Sequence, residues 1–309
     1  MNLTALTPPT LLDRARTRWK EIGASQPDLV PAIALQRLLV ARTIRVVNGL
    51  ANKELTVRLS PSELAEKLRA GTPALRGESM ALPVTLLGPL VGENCDDLAS
   101  GEAGEAAHRV RVCLDAGRVD INSLLNASFD RNQMAIRMKA MQEGIAPDIL
   151  WLAAELAVGP VAYVTAQAMF QMDGMGVLHL WPHGYCPACG SWPAFAEELV
   201  GKNQLRCSFC GLEWPKRAEG CNYCGESSKL TAAKTTQDST YRVELCLECG
   251  AYLKCLAVSA PTPFELLPVE DLASAPVDVL AAQRGFGRPT LPDLGGPSGL
   301  PCEEMEPAT

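Results

Sequence analysis

Apolar residues in the first 180 positions recur at helical spacing. Leu11, Leu12, Ala15, Trp19 and Ile22 fall on one face of a helix. A long apolar helix carrying Arg37, Arg42 and Arg45 is expected from Asp28 to about Leu50. The run Ser60-Pro61-Ser62-Glu63 reads as a helix start: Ser caps, Pro suits the first turn, and Glu reaches back from the third position. Leu64 and Leu68 then share a face, and Gly71 can stop the helix. Asp120 is placed to cap a helix running through Phe129, and Pro147-Asp148 opens a longer apolar one. No strand-like alternation of comparable length competes, so residues 1–180 are expected to form a helical bundle.

The segment from Ile149 to Leu180 is apolar and long enough to cross a bilayer. It is interrupted by Glu155, Gly159-Pro160, Gln167, Gln171 and Asp173. An unpaired carboxylate in lipid is costly, so the expectation is a buried helix of a bundle and no membrane insertion.

The pattern changes at Trp181. From there to about Ala260 lie four short cysteine pairs: Cys186/Cys189, Cys207/Cys210, Cys221/Cys224 and Cys246/Cys249. Each is Cys-x-x-Cys, and each is followed by glycine: Gly190, Gly211, Gly225 and Gly250. Two intervening residues allow a tight turn that aims both sulfurs at one point about 2.3 Å away. A glycine at positive φ lets backbone N–H groups turn toward the sulfurs. Seventeen residues separate Cys189 from Cys207, 21 separate Cys224 from Cys246, and only ten lie between the second and third pairs. Sequential pairing is therefore the simplest: Cys186, Cys189, Cys207 and Cys210 around one ion, Cys221, Cys224, Cys246 and Cys249 around another. An interleaved pairing, first with third, is the alternative.

These features predict a multidomain α+β protein. Residues 1–180 form a helical domain. Residues 181–219 and 220–260 form two small four-cysteine β modules of the zinc-ribbon or rubredoxin-like kind. Residues 261–309 hold one helix, Asp271 to Gly285, and a Pro- and Gly-rich tail expected to be disordered. Cys95 and Cys113 read as small core residues, Cys255 as a strand residue, and Cys302 as a bystander in the tail. His183 is a weaker candidate, as an alternative ligand or a general base. Both sets of four sulfurs are already complete without it.

Charge and composition narrow the chemistry. The chain has 309 residues, 47% apolar but only 5% aromatic, which suits Ala- and Leu-rich helices. Its net charge of −7 disfavours sequence-independent nucleic-acid binding, which needs Lys and Arg on phosphates. Residues 181–260 carry eight Lys plus Arg and eight Asp plus Glu, a neutral balance. No signal peptide is visible, so the expected compartment is the cytoplasm, where thiols stay reduced and paired cysteines serve metals rather than disulfides. Four thiolates suit zinc or a single iron, and on chemistry alone zinc is favoured because structural zinc is commoner. No phosphate-binding loop, nucleophile elbow or His-Glu-x-x-His stands out, and saturated sulfur sites leave no open position for Lewis-acid catalysis. The chain is not expected to be an enzyme.

The residues around the knuckles resemble the formate dehydrogenase accessory proteins of the FdhE type. The resemblance rests on Cys186-Pro-Ala-Cys-Gly-Ser with Pro193, Cys207-Ser-Phe-Cys, Glu213-Trp214, Cys221-Asn-Tyr-Cys and Ser228-Lys229-Leu230. It continues through Cys246-Leu-Glu-Cys-Gly and Tyr252-Leu253-Lys254 to Asp271-Leu-Ala-Ser and Gln283-Arg-Gly-Phe. It covers about 100 residues closely and the helical part only in length and character. It implies a cytoplasmic factor needed for active respiratory formate dehydrogenase, with that enzyme's molybdenum-containing catalytic subunit as partner. It also implies rubredoxin-like iron on the eight cysteines, which moves the metal preference to iron, with zinc second. A nucleic-acid-binding zinc ribbon and a rubredoxin-like electron carrier are the competing readings. The expected assembly is a monomer or a homodimer.

Overall fold

The computed structural model describes residues 7–50, 55, 59–78, 80–172, 176–217, 219–234, 240–289 and 291. Cys302 and the tail around it lie outside these residues. Among the described residues eight α-helices come first: α1 (Pro8–Ser25), α2 (Val30–Leu50), α3 (Pro61–Arg69), α4 (Val84–Ala99), α5 (Gly104–Asp115), α6 (Ile121–Phe129), α7 (Gln133–Glu143) and α8 (Pro147–Met172). Local chemistry sets several of their ends. Ser60 accepts from the Glu63 N–H while the Glu63 carboxylate accepts from the Ser60 N–H at 2.7 Å, a complete capping box. The Asp120 carboxylate accepts from the Ser123 N–H at 2.7 Å and opens α6. Gly144, at φ +65°, closes α7.

Helix α8 is the axis of the bundle. Leu150, Ala153, Ala154, Ala157, Val158, Val161, Ala162, Ala166, Met169 and Phe170 are all buried in the main core. It is long and apolar enough to cross a membrane, yet 67% of its apolar window is covered by the rest of the chain. Its small residues let neighbours approach closely, and its low polarity follows from being surrounded. Cys95 and Cys113 are fully buried in the same core.

Among the described residues six strands follow: β1 (Pro193–Leu199), β2 (Lys202–Cys207), β3 (Glu213–Pro215), β4 (Leu230–Lys234), β5 (Tyr241–Cys246) and β6 (Tyr252–Ala257). They form one sheet in the order β3-β2-β1-β6-β5-β4. Each cysteine region supplies three antiparallel strands, and the two triplets join edge to edge through a parallel pairing of β1 with β6, where Ala196 lies opposite Cys255. The join removes one exposed edge from each triplet. Cys255 is therefore a seam residue, fully buried and apart from both cysteine groups.

The C-terminal segment forms two helices, α9 (Leu267–Ala273) and α10 (Ala275–Gln283), where a single helix from Asp271 was expected. Pro276 in the first turn of α10 lacks the N–H that would continue α9, so the chain restarts at Ser274. Helix α9 returns to the start of the chain: Leu266, Val269 and Ala273 share a cluster with Leu11, Ala15, Trp19 and Ile22 of α1. An ionic clasp built on the fully buried Lys254 binds these helices to the sheet. Lys254 Nζ lies 2.7 Å from Asp271 and 2.9 Å from Asp278, and Arg288 lies 2.7 and 3.0 Å from the same two acids. The Tyr252 hydroxyl donates to Asp278 at 2.7 Å. Burial raises the Asp271 pKa, but the charges of Lys254 and Arg288 outweigh it and hold the carboxyl below its usual range.

Replacing Lys254 by Met leaves both acids to Arg288 alone. Lys254 is the fully buried member, and breaking a buried pair by removing one partner costs about 3 kcal/mol; with partly exposed acids the loss is smaller, and urea unfolding should still show a lower midpoint. An unchanged midpoint would mean that the clasp contributes no net stability.

Candidate metal centres

The four turns bring eight cysteines into two groups: Cys186, Cys189, Cys207 and Cys210, and Cys221, Cys224, Cys246 and Cys249. Within each group every sulfur lies within 4.8 Å of the others. The pairing is sequential, not interleaved. The reason is topological: β1 and β2 carry the first two turns on one triplet, and the other triplet carries the last two.

Each turn has the same backbone. The glycine after the pair sits at positive φ: +83° at Gly190, +64° at Gly211, +83° at Gly225 and +67° at Gly250. That conformation is cheap only for glycine. Gly190, Gly225 and Gly250 donate their N–H to the carbonyls of Cys186, Cys221 and Cys246 at 2.9 to 3.0 Å. The turned backbone then points N–H groups at sulfur. Phe209 and Cys210 donate to Cys207 Sγ at 3.4 Å, and Tyr223 donates to Cys221 Sγ at 3.4 Å.

The sulfur spacing fits a single tetrahedral ion. Bonds of about 2.3 Å in a tetrahedron place sulfurs about 3.8 Å apart. Cys186 and Cys210 lie 3.6 Å apart, Cys189 and Cys207 3.4 Å, Cys221 and Cys249 3.8 Å, and Cys224 and Cys246 3.6 Å. All are far beyond a disulfide bond of about 2.05 Å.

The electrostatics point the same way. Burial pushes the Cys186 and Cys210 thiols well up. Cys189 is buried as well, but hydrogen bonds from the neighbouring thiols and the Arg131 charge outweigh burial and bring it well down. The second group repeats the pattern, with burial raising Cys221 and Cys249 while backbone N–H groups bring Cys246 down. Ionising all four thiols of a group needs a positive charge at their centre, which a metal cation supplies.

Arg131 lies under the first group. Its guanidinium sits 4.0 Å from the Phe209 ring and 4.6 Å from the Trp151 ring, and pairs with Glu155 at 2.9 Å. Its Nε and Nη1 are buried with no hydrogen-bond partner. Among the described residues it is the one non-glycine at positive φ, +56°. The sequence offered no sign of it, because its place depends on the end of α6 meeting the second cysteine turn.

His183 stands outside both groups. Its ring stacks on Tyr185 at 4.7 Å, and burial together with the Arg217 charge lowers its pKa. A file of aromatic contacts runs from Tyr185 to Trp192 at 5.8 Å and on to Tyr223 at 5.0 Å, linking the flanks of the two groups.

Gly184 sets the third turn in place. A Cβ there would lie 1.7 Å from the Asn222 carbonyl oxygen, a clash with backbone. Gly184→Ala should displace the turn that carries Cys221 and Cys224. Metal analysis should then find one ion per chain instead of two, with the first group intact. Full metal content would show that the turn tolerates the shift.

Comparison with known proteins gives a consistent picture. No family model matches the chain. Over 112 residues it is 33% identical to Protein FdhE of Escherichia coli O127:H6 (strain E2348/69 / EPEC), a segment spanning 35% of this chain and 36% of that protein. It is 32% identical over the same length to Protein FdhE of Escherichia coli O9:H4 (strain HS). The match thus spans about a third of the length of these relatives. The crystal structure of the FdhE protein from Pseudomonas aeruginosa shares the fold, with a TM-score of 0.54 over 91% of this chain and 94% of that one, at 24% identity. The chain is thus similar to FdhE proteins in two ways: a local sequence match over about a third of its length, and a fold shared with one of them along nearly the whole chain.

Proposed function

We propose that the chain is an accessory factor for the maturation of respiratory formate dehydrogenase. It acts in the cytoplasm on the enzyme's molybdenum-containing catalytic subunit, before that subunit reaches the membrane. Each four-cysteine group holds one ion, iron of the rubredoxin type by preference and zinc second. The observation that carries this reading is the sequence match to FdhE proteins, joined to a fold likeness that extends over 91% of the chain.

The geometry supports a non-enzymatic role. Four sulfurs complete each tetrahedron, so neither ion would keep a position for substrate. When bound, an ion would cross-link two turns of its triplet, and iron would also supply a one-electron couple. The chain's own residues hold the turns in register: the glycines at positive φ, the N–H groups aimed at Cys207 and Cys221, and the clasp around Lys254.

The test is genetic. Cys186→Ser and Cys221→Ser variants, each replacing the resident copy, should drop formate dehydrogenase activity to the level of a strain lacking the gene. Immunoblots should still find the enzyme's subunits and the variant protein. Normal activity in both variants would overturn the proposal.

A further inference from the structure

The two cysteine groups have the same inner geometry and different surroundings. The first belongs to the main core. Cys186, Cys207 and Cys210 are 0% exposed and Cys189 is 4% exposed. Both of its turns are docked on the helical domain, one against the segment that follows α3 and one against α8. The N–H groups of Ala74 and Leu75 donate to the carbonyls of Pro187 and Ala188 at 2.8 Å. The Phe209 carbonyl lies against Gly159 of α8, where a Cβ would sit 3.4 Å away. Phe209 itself is covered by the Arg131 guanidinium. Among the described residues no face of this group is open to an incoming molecule.

The second group is half open. Cys221 and Cys246 are buried, but Cys224 and Cys249 are exposed. They come from different turns, so the opening spans both. Leu247, between Cys246 and Cys249, is 64% exposed, an apolar side chain beside the opening. None of these four cysteines belongs to the main core that holds the first group.

We infer that the second group is an exchange centre: its ion is reached through Cys224 and Cys249 by an incoming sulfur or nitrogen donor, while the first group is a permanent staple. The inference rests on the reading that each group holds an ion. The step is a ligand substitution. The lone pair of the incoming donor forms a bond to the ion as the bond to the Cys224 or Cys249 sulfur breaks, and the freed thiolate takes a proton from water. No electrons are transferred. Cys221 and Cys246 stay as buried anchors during this first substitution, so the ion can return without unfolding the triplet; the same substitution repeated at the other exposed sulfur and then at Cys221 and Cys246 hands the ion to a thiolate-bearing partner. The same step at the first group would require α8 or the segment around Ala74 to move away.

The full chain loaded with two zinc ions tests this. Zinc is drawn off with an excess of the chromophoric chelator pyridylazoresorcinol while N-ethylmaleimide labelling is followed by peptide mass spectrometry. One zinc should leave about tenfold faster than the other or more. Cys224 and Cys249 should be labelled in the fast phase, with Cys186, Cys189, Cys207 and Cys210 protected until the slow one. Cys224→Ser should accelerate the fast phase alone. Release of both ions in a single phase, or equal labelling of the two groups, would overturn the inference and leave the accessory role standing. A chain that takes up no zinc would overturn the reading of both groups as ion sites, and this inference with it.

Discussion

The docking of the first cysteine group on the helices sets the rest of the molecule. Two backbone hydrogen bonds from Ala74 and Leu75 hold one turn, and the contact of Phe209 with Gly159 and Arg131 holds the other. With both turns fixed, β1 and β2 can lie in only one orientation on the bundle. The parallel pairing of β1 with β6 then carries that orientation to the second triplet. The buried pair of Arg206 with Glu197 extends it to the chain beyond β6: Arg206 donates to the Thr262 carbonyl at 2.7 Å, and the Thr262 N–H donates to Glu197 at 2.9 Å. From there α9 closes back on α1. The sulfur-rich contact works together with shared apolar packing, since Ala196, Leu205, Trp214 and Leu253 of the sheet lie in the same core as the helices.

Much of the candidate site was legible from spacing alone, because a metal turn is a local object. Cys-x-x-Cys-Gly encodes the turn, the positive φ and the direction of the sulfurs within five residues. The gaps of 17, ten and 21 residues also encode the sequential pairing that the structure shows. The helix starts at Ser60 and Asp120 were readable for the same reason, since a cap is decided within one turn.

What was not legible depends on distant partners. The single sheet arises from a β1–β6 pairing of residues about 60 apart in sequence, and edge pairing leaves no periodic trace. Tyr252, Lys254 and Asp271 stood out as family-like residues without a physical reason. The structure gives one, an ionic clasp around the buried Lys254 that none of the three forms by itself. The unequal exposure of the two groups was hidden too, because their motifs are alike and only the bundle tells them apart.

The central claim is that eight cysteines form two tetrahedral ion centres. The measurement that tests it most directly is metal analysis of the full chain purified without oxygen, joined to X-ray absorption at the edge of the metal found. The account predicts two ions per chain, each with four sulfur neighbours at about 2.3 Å. Eight free thiols with no metal, or four disulfides in its place, would contradict it.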